Sequence, residues 1–190
     1  EKSQETEDTT QNEWNYAKQL SLEEHNKILQ KYELKNSSIF IPPIKYGKCV
    51  KVYDGDTIHI VAVVFKGVIS RFKVRIADID TPEIRTKNCH EKEAGKAARD
   101  LLESIILNKI IELKDIGYDK YGRLLSKIYM DGVNVGDWLV KIGFACEYHG
   151  CGAKKVKKVD WKAKMNKYSV NEAIFTEEFI KIFEEMKLNV

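Results

Sequence analysis

Hydrophobic and polar positions divide the chain into stretches of different rhythm. From Lys48 to Tyr53, Thr57 to Phe65 and Ile69 to Ala77, Val, Ile and Phe crowd into short runs, with Lys66-Gly67 separating the last two. β-branched and aromatic runs bounded by turn residues predict three successive strands, a meander. Glu91 to Leu107 changes period. Ala94, Ala98, Leu101, Leu102 and Ile105 fall on one helical stripe. Lys109–Lys114 and Leu124–Met130 return to strand, Asp131-Gly132 marks a turn, and Val135–Ile142 reads as a short helix closed by Gly143. The order βββ–α–ββ–α predicts an α+β, mainly β fold: a five-stranded OB-fold barrel with packed helices. A barrel this small has no room for a large cavity, so its ligands are expected on the outer strand face and loops.

The flanks differ. Glu1 to Asn12 is polar without apolar period and reads as a disordered tail. Trp14, Ala17, Leu20, Ile28 and Leu29 suggest one or two helical turns, with Ser21 as N-cap and Glu24 three residues on. Pro42-Pro43 reads as a linker. The expected organisation is therefore an N-terminal extension over 1–44, a barrel domain over 45–148, and a C-terminal extension over 149–190. The last carries the basic run Lys154-Lys155-Val156-Lys157-Lys158 and an amphipathic helix over Thr176–Met186, with Phe179, Ile182, Phe183 and Met186 on one side. The lysine run fits a solvated surface and an extended nucleic-acid track equally well.

Composition narrows the picture without deciding it. With 43% hydrophobic and 32% charged residues in 190, a folded domain with a real core is expected. A net charge of +3 is too mild to demand a polyanion, so any basic groove must come from arrangement. No apolar run approaches a membrane span, and no membrane association is expected. No secretory signal is visible at the start as given, although Glu1 leaves room for a removed leader. Four cysteines in a chain of this size favour a reducing, intracellular compartment over a stapled scaffold.

Three segments carry the candidate chemistry. Val52-Tyr53-Asp54-Gly55-Asp56-Thr57 sets two aspartates around a glycine. Alone it reads as a turn, because Gly accepts positive φ and Asp tolerates it. Arg75-Ile76-Ala77-Asp78-Ile79-Asp80-Thr81-Pro82-Glu83 follows an arginine with three carboxylates, stiffened by Pro82. Both acidic groups sit at strand ends that a meander brings together. Aspartates held close repel unless a hard cation lies between them. Arg75 and Asp80 are five residues apart, so alternation sends them to opposite faces. Serving one site requires a bulge or strand end near Asp78. The third segment, Asp119-Lys120-Tyr121-Gly122-Arg123, offers a guanidinium fork for phosphate and an aromatic stacking face.

Together, in this order, the three segments resemble the staphylococcal nuclease (thermonuclease-like) family, from Lys45 to Tyr148. The resemblance implies an OB barrel and calcium-dependent hydrolysis of phosphodiester bonds in DNA and RNA, leaving 3′-phosphate ends. It implies that Asp56 and Asp80 hold the metal through carboxylates and Thr81 through its backbone oxygen. Magnesium or another divalent ion is the alternative to calcium. Arg75, Glu83 and Arg123 match the family's catalytic residues, and Lys120 and Tyr121 match those that contact the nucleotide. Gly55 is then expected to turn the chain so that Asp56 leads the second strand into the site, with Asp54 as a turn or supporting group.

Some features depart from that pattern. The family's long third helix has no counterpart directly after Tyr148; the Thr176–Met186 helix either replaces it or packs elsewhere. Asp78 either faces solvent or adds negative charge to the metal site. Cys89 and His90, with Cys146, His149 and Cys151, leave a zinc site, a disulfide and free thiols as alternatives. His25 and His59 read as structural or exposed. The expected protein is a monomeric nuclease. Its rivals are a catalytically idle module that grips nucleic acid or peptide, and a scaffold whose terminal extensions bind a protein partner.

Overall fold

A computed structural model describes residues 16, 18–148, 160 and 172–188, with side chains of the last segment from Glu177 onward. The described residues form two compact units, one within 1–43 and 63–69 and one within 44–62 and 70–190. In the first, helix α1 (Leu22–Leu29) starts at a complete capping box: the Ser21 hydroxyl accepts from the Glu24 amide at 3.3 Å, and the Glu24 carboxylate accepts from the Ser21 amide at 2.7 Å. A 3-10 turn (Leu34–Asn36) follows, and the Phe40 ring stacks on Phe65 with centroids 6.4 Å apart. Trp14 and Ala17 lie outside the described residues.

The second unit carries most of a barrel, whose strand tips over 63–69 are counted with the first. Its strands are β1 (Tyr46–Val52), β2 (Thr57–Phe65), β3 (Val68–Ile76), β5 (Ile110–Tyr118) and β6 (Leu124–Met130). The hydrogen-bonded order β3-β2-β1-β5-β6 returns to its start through a parallel β3–β6 pairing, Val74 to Leu124 and Ile76 to Ser126. Five strands therefore close as an OB barrel, as the sequence predicts. Closure leaves no free edge among them. Alternation along β2 and β6 sends Ile58, Ile60, Leu124 and Ile128 inward, all at most 3% exposed. The fourth barrel strand runs beyond the expected Lys109–Lys114 to Tyr118, because a bulge between Lys114 and Gly117 lets pairing with β6 resume.

Local chemistry sets the joints. Asp131 and Gly132 both hold positive φ, 50° and 84°, the turn a two-residue hairpin needs between β6 and β7 (Val133–Asn134). Helix α2 (Cys89–Ile106) starts at Asn88, whose side chain accepts from the His90 and Glu91 amides. It buries the expected stripe of Ala94, Ala98, Leu101, Leu102 and Ile105. Helix α3 (Val135–Lys141) ends in Gly143 at φ 78°, whose amide reaches Val140 while that of Phe144 reaches Leu139. Two further short strands, β4 (Ile79–Asp80) and β8 (Cys146–Glu147), pair with each other.

The C-terminal helix, α4 (Glu172–Lys187), is longer than the predicted Thr176–Met186 and packs onto α3. Trp138 donates its indole N–H to the Phe179 carbonyl at 3.0 Å. Phe183 meets the Trp138 ring edge-on at 5.6 Å, and Phe179 meets Phe144 at 5.8 Å. Among the described residues no helix is long and apolar enough to cross a membrane.

Phe183 is 2% exposed. Truncating a buried aromatic removes both transfer energy and packing, so Phe183→Ala should cost about 3 kcal/mol or more in urea unfolding. A loss within 0.5 kcal/mol, the scale of an ordinary surface change, would mean α4 contributes little to the fold.

Candidate active site

The site forms where β2 begins and β3 ends. The Ile76 amide donates to the Asp56 carbonyl at 2.8 Å, which sets the two strand termini side by side. Asp56 is 9% exposed, and its carboxylate gathers donors from separate segments. Arg75 Nη1 lies 2.6 Å from Oδ2, and the Thr81 hydroxyl donates to the same oxygen at 3.0 Å. The Thr57 hydroxyl donates to Oδ1 at 2.9 Å. Arg75 also reaches Asp80 Oδ1 at 3.3 Å and the Ile79 carbonyl at 2.8 Å through Nη2. Asp56, Arg75, Asp80 and Thr81 thus form one connected cluster.

The chain has to bend to achieve this. Strand β3 ends at Ile76, and Asp78 takes φ 62°, a left-handed conformation that aspartate tolerates better than most residues. The predicted strand end near Asp78 is therefore present, and it brings Arg75 and Asp80 to one side. Asp78 itself points away: it pairs with Lys127 at 3.4 Å and its side chain is 58% exposed.

Gly55 needs a different account from the sequence reading. The turn is there, since the Tyr53 and Asp54 amides both reach the Thr57 carbonyl. Gly55, however, is not among the glycines with positive φ. Glycine is needed for space: a Cβ would stand 2.9 Å from the Thr81 hydroxyl and 3.0 Å from Ala98 Cβ on α2. Gly95 serves the same packing from the helix side, where a Cβ would meet the Pro82 carbonyl at 2.6 Å. These two close approaches press the Asp80–Glu83 segment between the Asp56 turn and α2.

Burial pushes the Asp80 carboxyl above its ordinary value; Arg75 opposes this, while Asp56 and Glu91 add to it. Burial also raises Glu83, reinforced by Asp56, Asp80 and Glu91 and offset by Arg75. Glu83 therefore sits in the field of the same cluster. Asp54 is pushed up to about 6 by burial and by the Asp56 charge. Its carboxylate accepts from the Asp56 amide at 3.3 Å, a supporting position.

Arg123 arrives from the β5–β6 loop. Its Nη1 donates to the Thr57 hydroxyl at 3.2 Å, one atom from Asp56. Asp119 holds it there: one carboxylate oxygen accepts from the amides of Tyr121 and Arg123 at 2.8 and 2.9 Å, and the other from Arg123 Nε. Burial works to raise the Asp119 carboxyl, but those bonds outweigh it and hold it below the ordinary range. Lys120 and Tyr121 stay exposed at the loop tip, with the ammonium 5.0 Å from the ring centre.

Three contributors were not singled out from the sequence. Asp119 reads from the sequence only as part of a loop, although an Asp able to bond the backbone two residues on is an Asx-turn signal. Thr57 links Asp56 to Arg123. Glu91, which accepts from the Thr86 hydroxyl at 2.9 Å, adds to the negative field from α2. The cysteine alternatives are narrower. Cys49, Cys89 and Cys146 are free thiols, and His90 lies 4.0 Å from Glu93. His149 and Cys151 lie outside the described residues. Among the described residues no trio of His, Cys, Asp and Glu is gathered as metal ligands.

An OB barrel with an arginine–carboxylate cluster at the joined ends of its strands defines an OB-fold protein with a polar, ion-paired site. Residues 73–170 match the family described as "Staphylococcal nuclease homologue", a match that includes every candidate residue except Asp56. The chain belongs to this family. It is similar to an "Uncharacterized endonuclease" of Escherichia coli O157:H7, 30% identical over 104 residues, which cover 54% of this chain and 61% of the relative. It is also similar to "Endonuclease YncB" of Bacillus subtilis (strain 168), 32% identical over 144 residues, 74% of this chain and 60% of the relative. The chain thus spans about three-fifths of the length of each of these relatives.

Adding a methyl at position 55 overpacks a tight contact. Gly55→Ala should destabilise by about 1–3 kcal/mol in urea unfolding. A neutral substitution would show that the approach of Thr81 and Ala98 does not require glycine.

Proposed function

We propose that this protein is a metal-dependent endonuclease that hydrolyses phosphodiester bonds of DNA and RNA with little sequence preference, leaving 3′-phosphate ends. The observation that supports this most is the cluster itself: Asp56, Arg75 and Asp80 in one ion-paired group, with Arg123 joined to it through Thr57.

Asp56, Asp80 and the Thr81 backbone oxygen are the residues that would hold the metal. The donor chemistry fits: all are hard oxygen donors, and Asp80 and Glu83 are pushed up mainly by burial and in part by the negative charge of Asp56 and Glu91, which a cation would relieve. Calcium is the first expectation, and magnesium the alternative. When bound, the ion supplies positive charge at the phosphate and favours ionisation of a water. The chain's own residues do the rest. Arg75 and Arg123 offer guanidinium donors to the phosphate oxygens as charge develops on them. Holding these groups with Asp56 and Asp119 before substrate arrives reduces reorganisation during reaction. Glu83, with its raised pKa, takes the proton of the attacking water. Lys120 and Tyr121 contact the nucleotide at the loop tip. Backbone contacts of this kind carry no base information, which accounts for low sequence preference.

The test is cleavage of labelled single-stranded DNA and RNA by the full chain with calcium. Chelator, Asp56→Ala and Arg75→Ala should each abolish it. Arg123→Ala should lower kcat by about 10²–10³, the cost of removing one preorganised donor, about 3–4 kcal/mol. Turnover near wild type in that variant would remove Arg123 from the reaction. Binding without cleavage by the wild-type chain would support the idle module instead.

A further inference from the structure

Strand β3 carries the catalytic candidate Arg75 near its end, and alternation places Lys73 and Arg71 on the same face before it. Both are exposed. Successive members of this row stand about 6.6 Å apart along the strand, from a rise of about 3.3 Å per residue. The row continues sideways. Lys51 of β1 is paired with His59 of β2. Burial, then Lys51, Lys73 and Arg71, lowers the His59 pKa, so all three cations act on that one ring. Tyr53 lies among Lys51, Lys73 and Arg85, whose charged ends are 5.9, 5.3 and 5.6 Å from its centre. Among the described residues, no carboxylate ion pair is formed by Lys51, Arg71, Lys73 or Arg85.

Beside this row lies a groove of about 650 Å³, walled on one side by Arg71 and Lys73 and on the other by Tyr118, Tyr121 and Arg123. Tyr118 is 39% exposed and Tyr121 73%. Unpaired cations along one wall suit consecutive phosphates, and exposed rings on the other suit bases that are not stacked in a duplex. Arg123 belongs both to the groove and to the site cluster, so the groove opens onto the reacting position.

We propose that this groove is a binding track for single-stranded polynucleotide, in which Arg71 and Lys73 hold phosphates flanking the scissile one and Tyr118 and Tyr121 take bases. The track rests on the nuclease reading only for its direction into the site; binding itself does not depend on turnover. A strand seated here runs along β3, and the enzyme is expected to grip several nucleotides beyond the one it cuts.

The test is binding of a fluorescent 16-nucleotide single strand, as DNA and as RNA, to the full chain in chelator, followed by anisotropy across a salt series. Each lost phosphate contact lowers the slope of log affinity against log salt by about 0.7. Arg71→Ser/Lys73→Ser should therefore flatten it by about 1.4 and weaken binding about five-fold or more at low salt. Lys92→Ser/Lys96→Ser, an equal charge loss on exposed α2, should leave the slope unchanged. Tyr118→Ala should weaken single-strand binding without changing the slope. The track is overturned if wild type does not bind the strand, if both double variants behave alike, or if duplex of equal length binds as tightly. Strand binding that depends on Arg71 and Lys73 in a chain that never cleaves would uphold the track and sink the nuclease reading.

Discussion

The Asp56 carboxylate is the constraint on which the site depends. Nearly buried, it accepts from Arg75, Thr81 and Thr57. A buried carboxylate without partners is costly enough that the chain must bring donors to it or protonate it. The donors come from the end of β3, the segment after it and the start of β2. Meeting this demand pulls the strand termini together, and the Ile76 amide on the Asp56 carbonyl fixes the same junction through backbone. Closure of the barrel and assembly of the site are two views of one arrangement.

Charge is sorted across that junction. Asp56, Asp80, Glu83 and Glu91 gather on the acidic side, where burial first and then the neighbouring carboxylates raise Asp80 and Glu83. Lys51, Arg71, Lys73 and Arg85 lie around the outer face of the first strands. Arg75 stands at the boundary, bound to the acids yet in register with the basic row. A net charge of +3 conceals this separation, because composition averages over faces. The proposed chemistry needs both sides: oxygen ligands for a cation, and cations for a chain of phosphates.

Much of this was legible from the sequence where residue type and spacing carry the physics locally. The barrel strands, the α2 stripe and the Ser21–Glu24 capping box follow from short-range rules, while the bend near Asp78 follows from the demand that Arg75 and Asp80 share one site. Gly55 shows the limit. Its sequence context speaks of positive φ, while its neighbours in space, Thr81 and Ala98, speak of a missing Cβ. Glu91 and Thr57 had no local signal, since each matters only through residues far along the chain. The C-terminal helix was visible as an amphipathic pattern, but its docking on Trp138 was not.

The sequence by itself determined the order of elements and the three polar segments, because alternation, helical period and turn chemistry act over a few residues. Only the tertiary structure decided that Asp56 faces Arg75 and Thr81, that Asp119 aims Arg123 at Thr57, and that Lys73 and Arg71 border a groove beside Tyr121. The physical reason is closure. Joining β3 to β6 in parallel sets the juxtaposition of residues far apart in sequence, and no local preference encodes that pairing.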